Sequence, residues 1–291
     1  MEVHCHSMSD PLRDVLVRHP SVAFNSQEVL DAQWARYGYT ACPDYLQACT
    51  DFDQFIDVLE SNGAAVHRME DEIDPGMDSL YVHDPALTIG NGMVLGRMGK
   101  EERRREAVVF ELHCQSHGIP ILGKIEAPGF LEGGDVIWLD EKTLAVGLGY
   151  RTNRDGIQQL EKICRNVIDE IITVPLPHFR GPGDVLHLMS LISPISANKA
   201  VVYKKLLPVP FLETLSHRFH TLIDVPDDEY DKLGCNVLAI SPTVAIMAEG
   251  APKTRAKLEG EGIQVLTYPP EEISLKGQGG PTCLTRPLVR G

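Results

Sequence analysis

Gly-Gly-Pro-Thr-Cys-Leu-Thr-Arg-Pro-Leu, residues Gly279–Leu288, is the stretch on which the fold turns. A Gly-Gly-Pro turn leads into Cys283–Leu288, which reads as a short strand. Its partner lies at the other end of the chain, in Asp14–Val17. Pairing the two joins the termini and closes a ring.

Between these ends a unit recurs roughly every fifty residues. Each unit reads as a helical stretch, an apolar strand, a polar loop and a strand hairpin. The strands that follow helices are Ala64–Met69, Ile119–Ile125, Ile168–Val174, Thr221–Val225 and Ile263–Tyr268. Gly63, Gly118 and Gly262 stand where helix C-caps belong. The hairpins read Ser79–Gly96, Asp135–Leu148, Val185–Tyr203 and Asn236–Ala248, with Cys283–Leu288 and Asp14–Val17 as the fifth. Phe52, Phe55, Ile56 and Leu59 follow helical spacing, with Thr50 as N-cap. Ile157, Leu160 and Cys164 repeat that spacing, as do Phe211, Leu215 and Phe219. The pattern fits a closed propeller of five short α/β sheets, with turn residues converging on its axis. It fits equally an α/β sandwich with accidental periodicity.

No linker divides the chain, so one domain over residues 1–291 is expected, with residues 1–12 a flexible N-terminus. A 43% hydrophobic content suffices for a large core. The net charge of −14 argues against nucleic acid or an anionic membrane as partner. No long apolar run and no signal pattern is visible. Seven cysteines without a CxxC spacing read as reduced thiols, and a cytoplasmic setting follows. His4-Cys5-His6 is either a metal grip or a frayed terminus.

Three segments carry chemistry. Cys283 is a nucleophile once deprotonated. Glu132 stands in Leu-Glu-Gly-Gly-Asp (Leu131–Asp135), and His187 in Asp-Val-Leu-His-Leu (Asp184–Leu188). A thiol, an imidazole and a carboxylate, each beside a turn, outline covalent catalysis. Gly133 and Gly134 let the carboxylate project inward, by positive φ or close backbone approach. The competing readings are a small buried thiol, a core histidine between Leu186 and Leu188, and a turn-capping glutamate. No Asp/His ligand cluster is visible, so neither a metal nor a cofactor is expected.

With Asp-Ser-Leu-Tyr-Val-His-Asp-Pro (Asp78–Pro85), these segments resemble the guanidino-group modifying enzymes: dimethylarginine dimethylaminohydrolases, arginine deiminases and amidinotransferases. The motifs stand in that family's order from about Asp14 to Arg290. The resemblance implies a five-bladed α/β propeller, the pentein fold, with pseudo-fivefold ββαβ repeats. It makes Cys283 the nucleophile, His187 the general acid and base, and Glu132 the carboxylate that supports the histidine. Asp84 and Asp78 would grip guanidinium nitrogens. Arg151, in Tyr-Arg-Thr-Asn, would bind a substrate carboxylate. Arg103 is a looser match to a second such arginine, since Glu101–Glu106 also reads as a solvated helix face.

Two positions depart from the pattern. His83 stands where the dimethylaminohydrolases usually carry Glu, so it would accept a hydrogen bond or favour another substituent. Met189 stands where deiminases carry the Asp of His-x-Asp. The implied function is cofactor-free hydrolysis of a guanidino compound, methylated arginine or arginine, through a covalent thiouronium. The alternatives are amidino transfer to an acceptor amine and a non-catalytic binding protein. A small-molecule guanidino substrate is the implied partner; the family also suggests a homodimer, though no stretch marks an interface.

Overall fold

The computed structural model describes residues 1–70, 73–184 and 186–291. The chain opens with β1 (Leu12–Val17) and crosses through α1 (Tyr45–Ser61) to β2 (Ala65–Arg68). Next come β3 (Ala86–Ile89), β4 (Gly92–Leu95), α2 (Glu106–Ser116) and β5 (Ile121–Lys124). The third group is β6 (Val136–Asp140), β7 (Thr143–Leu148), α3 (Arg154–Cys164) and β8 (Glu170–Pro175). The fourth is β9 (Ile192–Ser196), β10 (Lys199–Val202), α4 (Val209–Arg218) and β11 (Thr221–Asp224). The fifth is β12 (Val237–Ser241), β13 (Val244–Ala248), α5 (Pro252–Gly260) and β14 (Gln264–Tyr268), before β15 (Arg286–Arg290).

Among the described residues these strands form five separate three-stranded sheets: β15-β1-β2, β3-β4-β5, β6-β7-β8, β9-β10-β11 and β12-β13-β14. Every sheet has one topology, an antiparallel hairpin followed by a helix and a third strand parallel to the middle one. Five separate sheets exclude a single stacked α/β sheet. The first sheet draws strands from both ends, with β15 antiparallel to β1 from Leu12↔Arg290 to Leu16↔Arg286. The ends therefore meet as the Gly279–Leu288 segment foretold, although the strand begins at Arg286 and leaves Cys283 on the preceding turn.

The middle strand of each sheet has a ladder on each side. Leu16, Val94, Val146, Val201 and Ile246 are all fully buried. The helices cover the sheets with one apolar face each; α1 buries Ala48, Phe52, Phe55, Ile56 and Leu59. Its N-cap is Asp44, whose carboxylate accepts from Gln47 N at 2.8 Å. Thr50, the expected cap, lies inside the helix and donates to Leu46 O at 3.0 Å. Asp44 starts the helix earlier because it satisfies a first-turn N–H directly after Pro43. Gly63, Gly118 and Gly262 end their helices at positive φ, as read from sequence.

The N-terminus is not loose in this structure. Val3 and Cys5 are buried, His4 N donates to Leu288 O at 2.7 Å, and Cys5 exchanges two backbone bonds with Gly90 at 3.0 Å. The ring closure supplies the exposed edge on which these residues dock. The hairpin read as Val185–Tyr203 begins at residue 185, outside the described residues; the strands within it are β9 and β10. No described helix is long and apolar enough to cross a membrane.

Candidate active site

The repeated topology puts the same kind of loop, the one entering a hairpin, at the head of each sheet. Asp84 lies two residues before β3, and Glu132 opens the turn before β6. His187 opens the turn before β9, and Cys283 lies just before β15. Asp84, His187 and Cys283 line one cavity of about 460 Å³, and Glu132 stands behind the histidine.

His187 Nε2 and Glu132 Oε2 are 2.7 Å apart. Glu132 is fully buried, and its other oxygen accepts from Gly99 N at 2.9 Å and Lys100 N at 3.3 Å. Burial opposes ionisation of Glu132, but Arg151 and His187 outweigh it and hold the carboxyl down at about 2. Burial likewise works against a charged His187, yet Asp84, Glu132 and Asp135 raise it to about 9. The imidazole is thus a cation at neutral pH. Asp84 accepts from Gly134 N at 2.9 Å and Arg103 Nη1 at 2.6 Å. Despite burial, His187 and Arg103 keep it below the usual carboxylate range. Gly134 is required by close approach: a Cβ there would meet His187 Nδ1 at 2.6 Å and Asp84 Oδ1 at 2.9 Å. A Cβ on Gly133 would collide with the backbone oxygen of His83.

Cys283 is half-buried at the cavity wall, and its Sγ accepts from Asn236 Nδ2 at 3.3 Å. Burial pushes the thiol up to about 12, with the Asp84 charge adding to the effect. Asn236 was missed in the sequence. It precedes β12, so it is the fifth sheet's contribution from the same loop, and its side-chain oxygen also accepts from Thr282 N at 3.1 Å. The repeat was the signal that could have found it.

The substrate-binding candidates divide. Arg151 and Asp78 line the cavity, Arg151 Nη1 reaching Glu132 Oε2 at 3.3 Å and Asp78 accepting from Lys100 Nζ at 2.6 Å. Arg103 lines it too, but it is neither solvated nor open to a ligand carboxylate. It is 3% exposed, and its donors are taken by Glu106, Asp84 and Tyr81 O. Burial raises Glu106 to about 7 even so. His83 does not line this cavity. Its side chain diverges from that of Asp84, with Nδ1 bonded to Thr285 O at 2.8 Å. Burial first, then Arg286, keeps that imidazole neutral. His178 bonds Tyr150 Oη at 2.6 Å beside a separate recess.

The fold brings together one cluster of possible ligand atoms that the sequence did not show. Asp84, Glu132 and His187 present ligand atoms within 4.8 Å of one another, a set that could hold a metal ion. Sequence spacing could not reveal it, because the three come from different sheets. These atoms are already bonded to each other or to Arg103 and Arg151. Guanidinium groups so close oppose a metal ion there.

A family model described as arginine deiminase matches residues 70–214 and 211–290. The arginine deiminase of Latilactobacillus sakei is 25% identical, covering 75% of this chain and 63% of its own length. That of Listeria monocytogenes is 28% identical, covering 80% and 68%. The chain thus spans less than two thirds of the first of these relatives. Among solved structures, dimethylarginine dimethylaminohydrolase of Pseudomonas aeruginosa, complexed with citrulline, superposes with a TM-score of 0.76. It is 23% identical and covers 95% of this chain and 99% of its own. The N-terminal domain of a cyanobacterial arginine dihydrolase gives 0.80 at 19% identity, covering 95% and 98%. An amidinotransferase of Microseira wollei gives 0.78 at 16%, covering 99% and 97%. Such distant structures speak for a shared α/β fold alone. The family match runs from the loop bearing Asp78 and Asp84 through Cys283 into the last strand, well over half of the 291 residues, and the chain belongs to the arginine deiminase family.

Proposed function

We propose that this protein is a cysteine-dependent hydrolase of a guanidino compound, arginine or a methylated arginine, releasing citrulline and ammonia or an amine. The observation that carries the reading is the convergence of Cys283, His187 and Asp84 on one cavity, with Glu132 bonded to the imidazole at 2.7 Å.

Each carboxylate oxygen has two lone pairs. Asp84 carries one donor on each oxygen, so it can accept from a bound guanidinium while keeping both. All four lone pairs of Glu132 are taken, and Glu132 acts by holding His187. Arg151 takes the substrate carboxylate. The incoming cation lowers the Cys283 pKa from about 12, so the thiolate forms in the complex. Sulfur bonds to the guanidino carbon. The C–N bond then breaks, its electron pair goes to nitrogen, and His187 protonates the leaving amine. Water adds to the thiouronium carbon and gives a proton to the neutral His187. The C–S bond breaks, releasing a ureido product and the thiolate.

The five sheets are, on this reading, the blades of a five-bladed α/β propeller in one catalytic domain. The repeated ββαβ order, the pairing of the two termini and the convergence of hairpin-entry loops support it. Amidino transfer is the second reading, favoured by a further cavity against Cys283 and His187 with room for an acceptor amine.

Mass spectrometry of products from arginine, its methylated forms and smaller guanidines, with and without an added amine, tests both. Citrulline plus amine sustains hydrolysis, and amine-dependent product favours transfer. Full activity in Cys283→Ser would sink the mechanism, and no turnover by folded, reduced protein would favour a binding role.

A further inference from the structure

A second cavity, of about 270 Å³, adjoins the first. The two share Cys283, His187 and Gln278, so thiol and imidazole stand at their common boundary. Their walls differ in kind. Asp78, Asp84, Lys100, Arg103 and Arg151 line the larger cavity and none of them lines the smaller. The smaller one is walled by Phe179, Met189, Tyr230, Leu233 and Leu275. Phe179 packs edge-on to Tyr230 with ring centroids 6.1 Å apart, and Arg180 lies 4.8 Å over the Phe179 ring. Arg180 is committed to Asp231 at 2.7 and 2.8 Å. Asp184 is also in the lining, and with Asp231 it offsets Arg180 and the charged His187, so the charged groups of this cavity balance.

We propose that this smaller cavity is an amine subsite, selecting a short aliphatic amine as the nitrogen side of the reaction. The proposal rests on the guanidino reading above. The C–N bond breaks beside His187, so the departing nitrogen lies on the histidine's side of the thiol. By microscopic reversibility an attacking amine takes the same position. A cavity of 270 Å³ has room for roughly nine waters at about 30 Å³ each, so ammonia alone leaves it nearly empty. An alkyl group of a few carbons occupies much more of it than ammonia does, against Met189, Leu275 and the two rings.

The test is a series of N-methyl, N-ethyl and N-propyl derivatives of whichever guanidino compound the full-length enzyme turns over. kcat/KM should rise about fourfold per methylene, the worth of one buried CH₂. Leu275 is only partly buried, so Leu275→Trp can fill the cavity without dismantling the core. In it the kcat/KM ratio of propyl to unsubstituted compound should fall at least tenfold. Phe179→Ala, at a side chain 40% exposed, should move the optimum to a longer chain. A flat series, or a ratio unchanged in Leu275→Trp, overturns the subsite. Added propylamine distinguishes the two directions: incorporation into product marks an attacking amine, and release alone a leaving one. If no guanidine is turned over, the function falls but the subsite is still readable. Propylammonium should then show saturation transfer from wild-type protein and not from Leu275→Trp, and no transfer from wild type overturns it.

Discussion

Replacing Glu132 by Gln should lower the pH at which His187 loses its proton. The imidazole titrates at about 9 against an ordinary 6.5, in spite of burial. That difference corresponds to about 3 kcal/mol favouring the charged form. Asp84 is the leading support, and Glu132 contributes both a hydrogen bond and its charge. A hydrogen bond to a charged group is worth about 1.5–3 kcal/mol. Losing it should take about one to two units from the His187 pKa, while Asp84 and Asp135 remain to hold the rest.

The sign for stability follows. A histidine raised on folding stabilises the protein fully below its unfolded value of 6.5, and that contribution is lost as pH rises through about 9. Urea denaturation should therefore show wild type losing about 3 kcal/mol from this group between pH 6 and 10, and Glu132→Gln losing less and earlier. The direct readout is the His187 ring resonance across that range, assigned with a His187→Gln control. A wild-type midpoint at or below 6.5, or the same midpoint in Glu132→Gln, would refute the electrostatic account of the pair.

Cys283→Ser should abolish turnover with the circular dichroism spectrum and thermal midpoint retained; measurable steady-state activity would remove the thiol from the chemistry. Arg103→Met should cost about 3–5 kcal/mol in urea denaturation, because Asp84 and Glu106 lose a buried partner; a cost below about 1 kcal/mol would mean that the guanidinium is not what neutralises them. Gly134→Ala should lower kcat far more than KM by driving the His187 ring from its seat, and an unchanged kcat would show that the ring does not need that seat. Glu106 and Asp135 are raised to about 7 and about 6 by burial, so their stabilising protons are bound at low pH and lost as pH climbs through those values; Asp135→Asn should flatten the stability profile between pH 4 and 7, as read by thermal melts.

The sequence made the repeat legible because each crossing obeys local rules. A short apolar run recurs in all five copies, and helix spacing and a C-cap glycine in three each. Helix starts were less legible, and Thr50 lost to Asp44 because capping depends on which side chain reaches the first free N–H. Cys283, His187, Glu132 and Asp84 were legible because each belongs to a short motif with its own turn. Asn236 lay in no such motif, and Lys100 resembled any surface lysine in a charged run. Arg103 and His83 were misread for a related reason. Sequence says what a side chain carries, whereas its direction depends on what packs beside it, here Glu106 for the arginine and Thr285 O for the histidine.

The pairing of the cavity's acids bears on how it selects a ligand. Asp78 has Lys100, Asp84 has Arg103, and Glu132 has both Arg151 and His187. Buried carboxylates without such partners would take up protons instead of staying charged. On the proposed reading a guanidinium therefore enters a site already close to balance and gains little from bulk attraction. It must share Asp84 with Arg103, a group of its own chemical kind. On that reading discrimination then falls to geometry: a planar group that meets the free lone pairs of Asp84 with its carbon at Cys283 is favoured over a cation of other shape. The same balance explains why His83 can replace an acid without emptying the site of charge. The carboxylates that matter are buried, ionised and fixed by the protein's own cations before any ligand arrives.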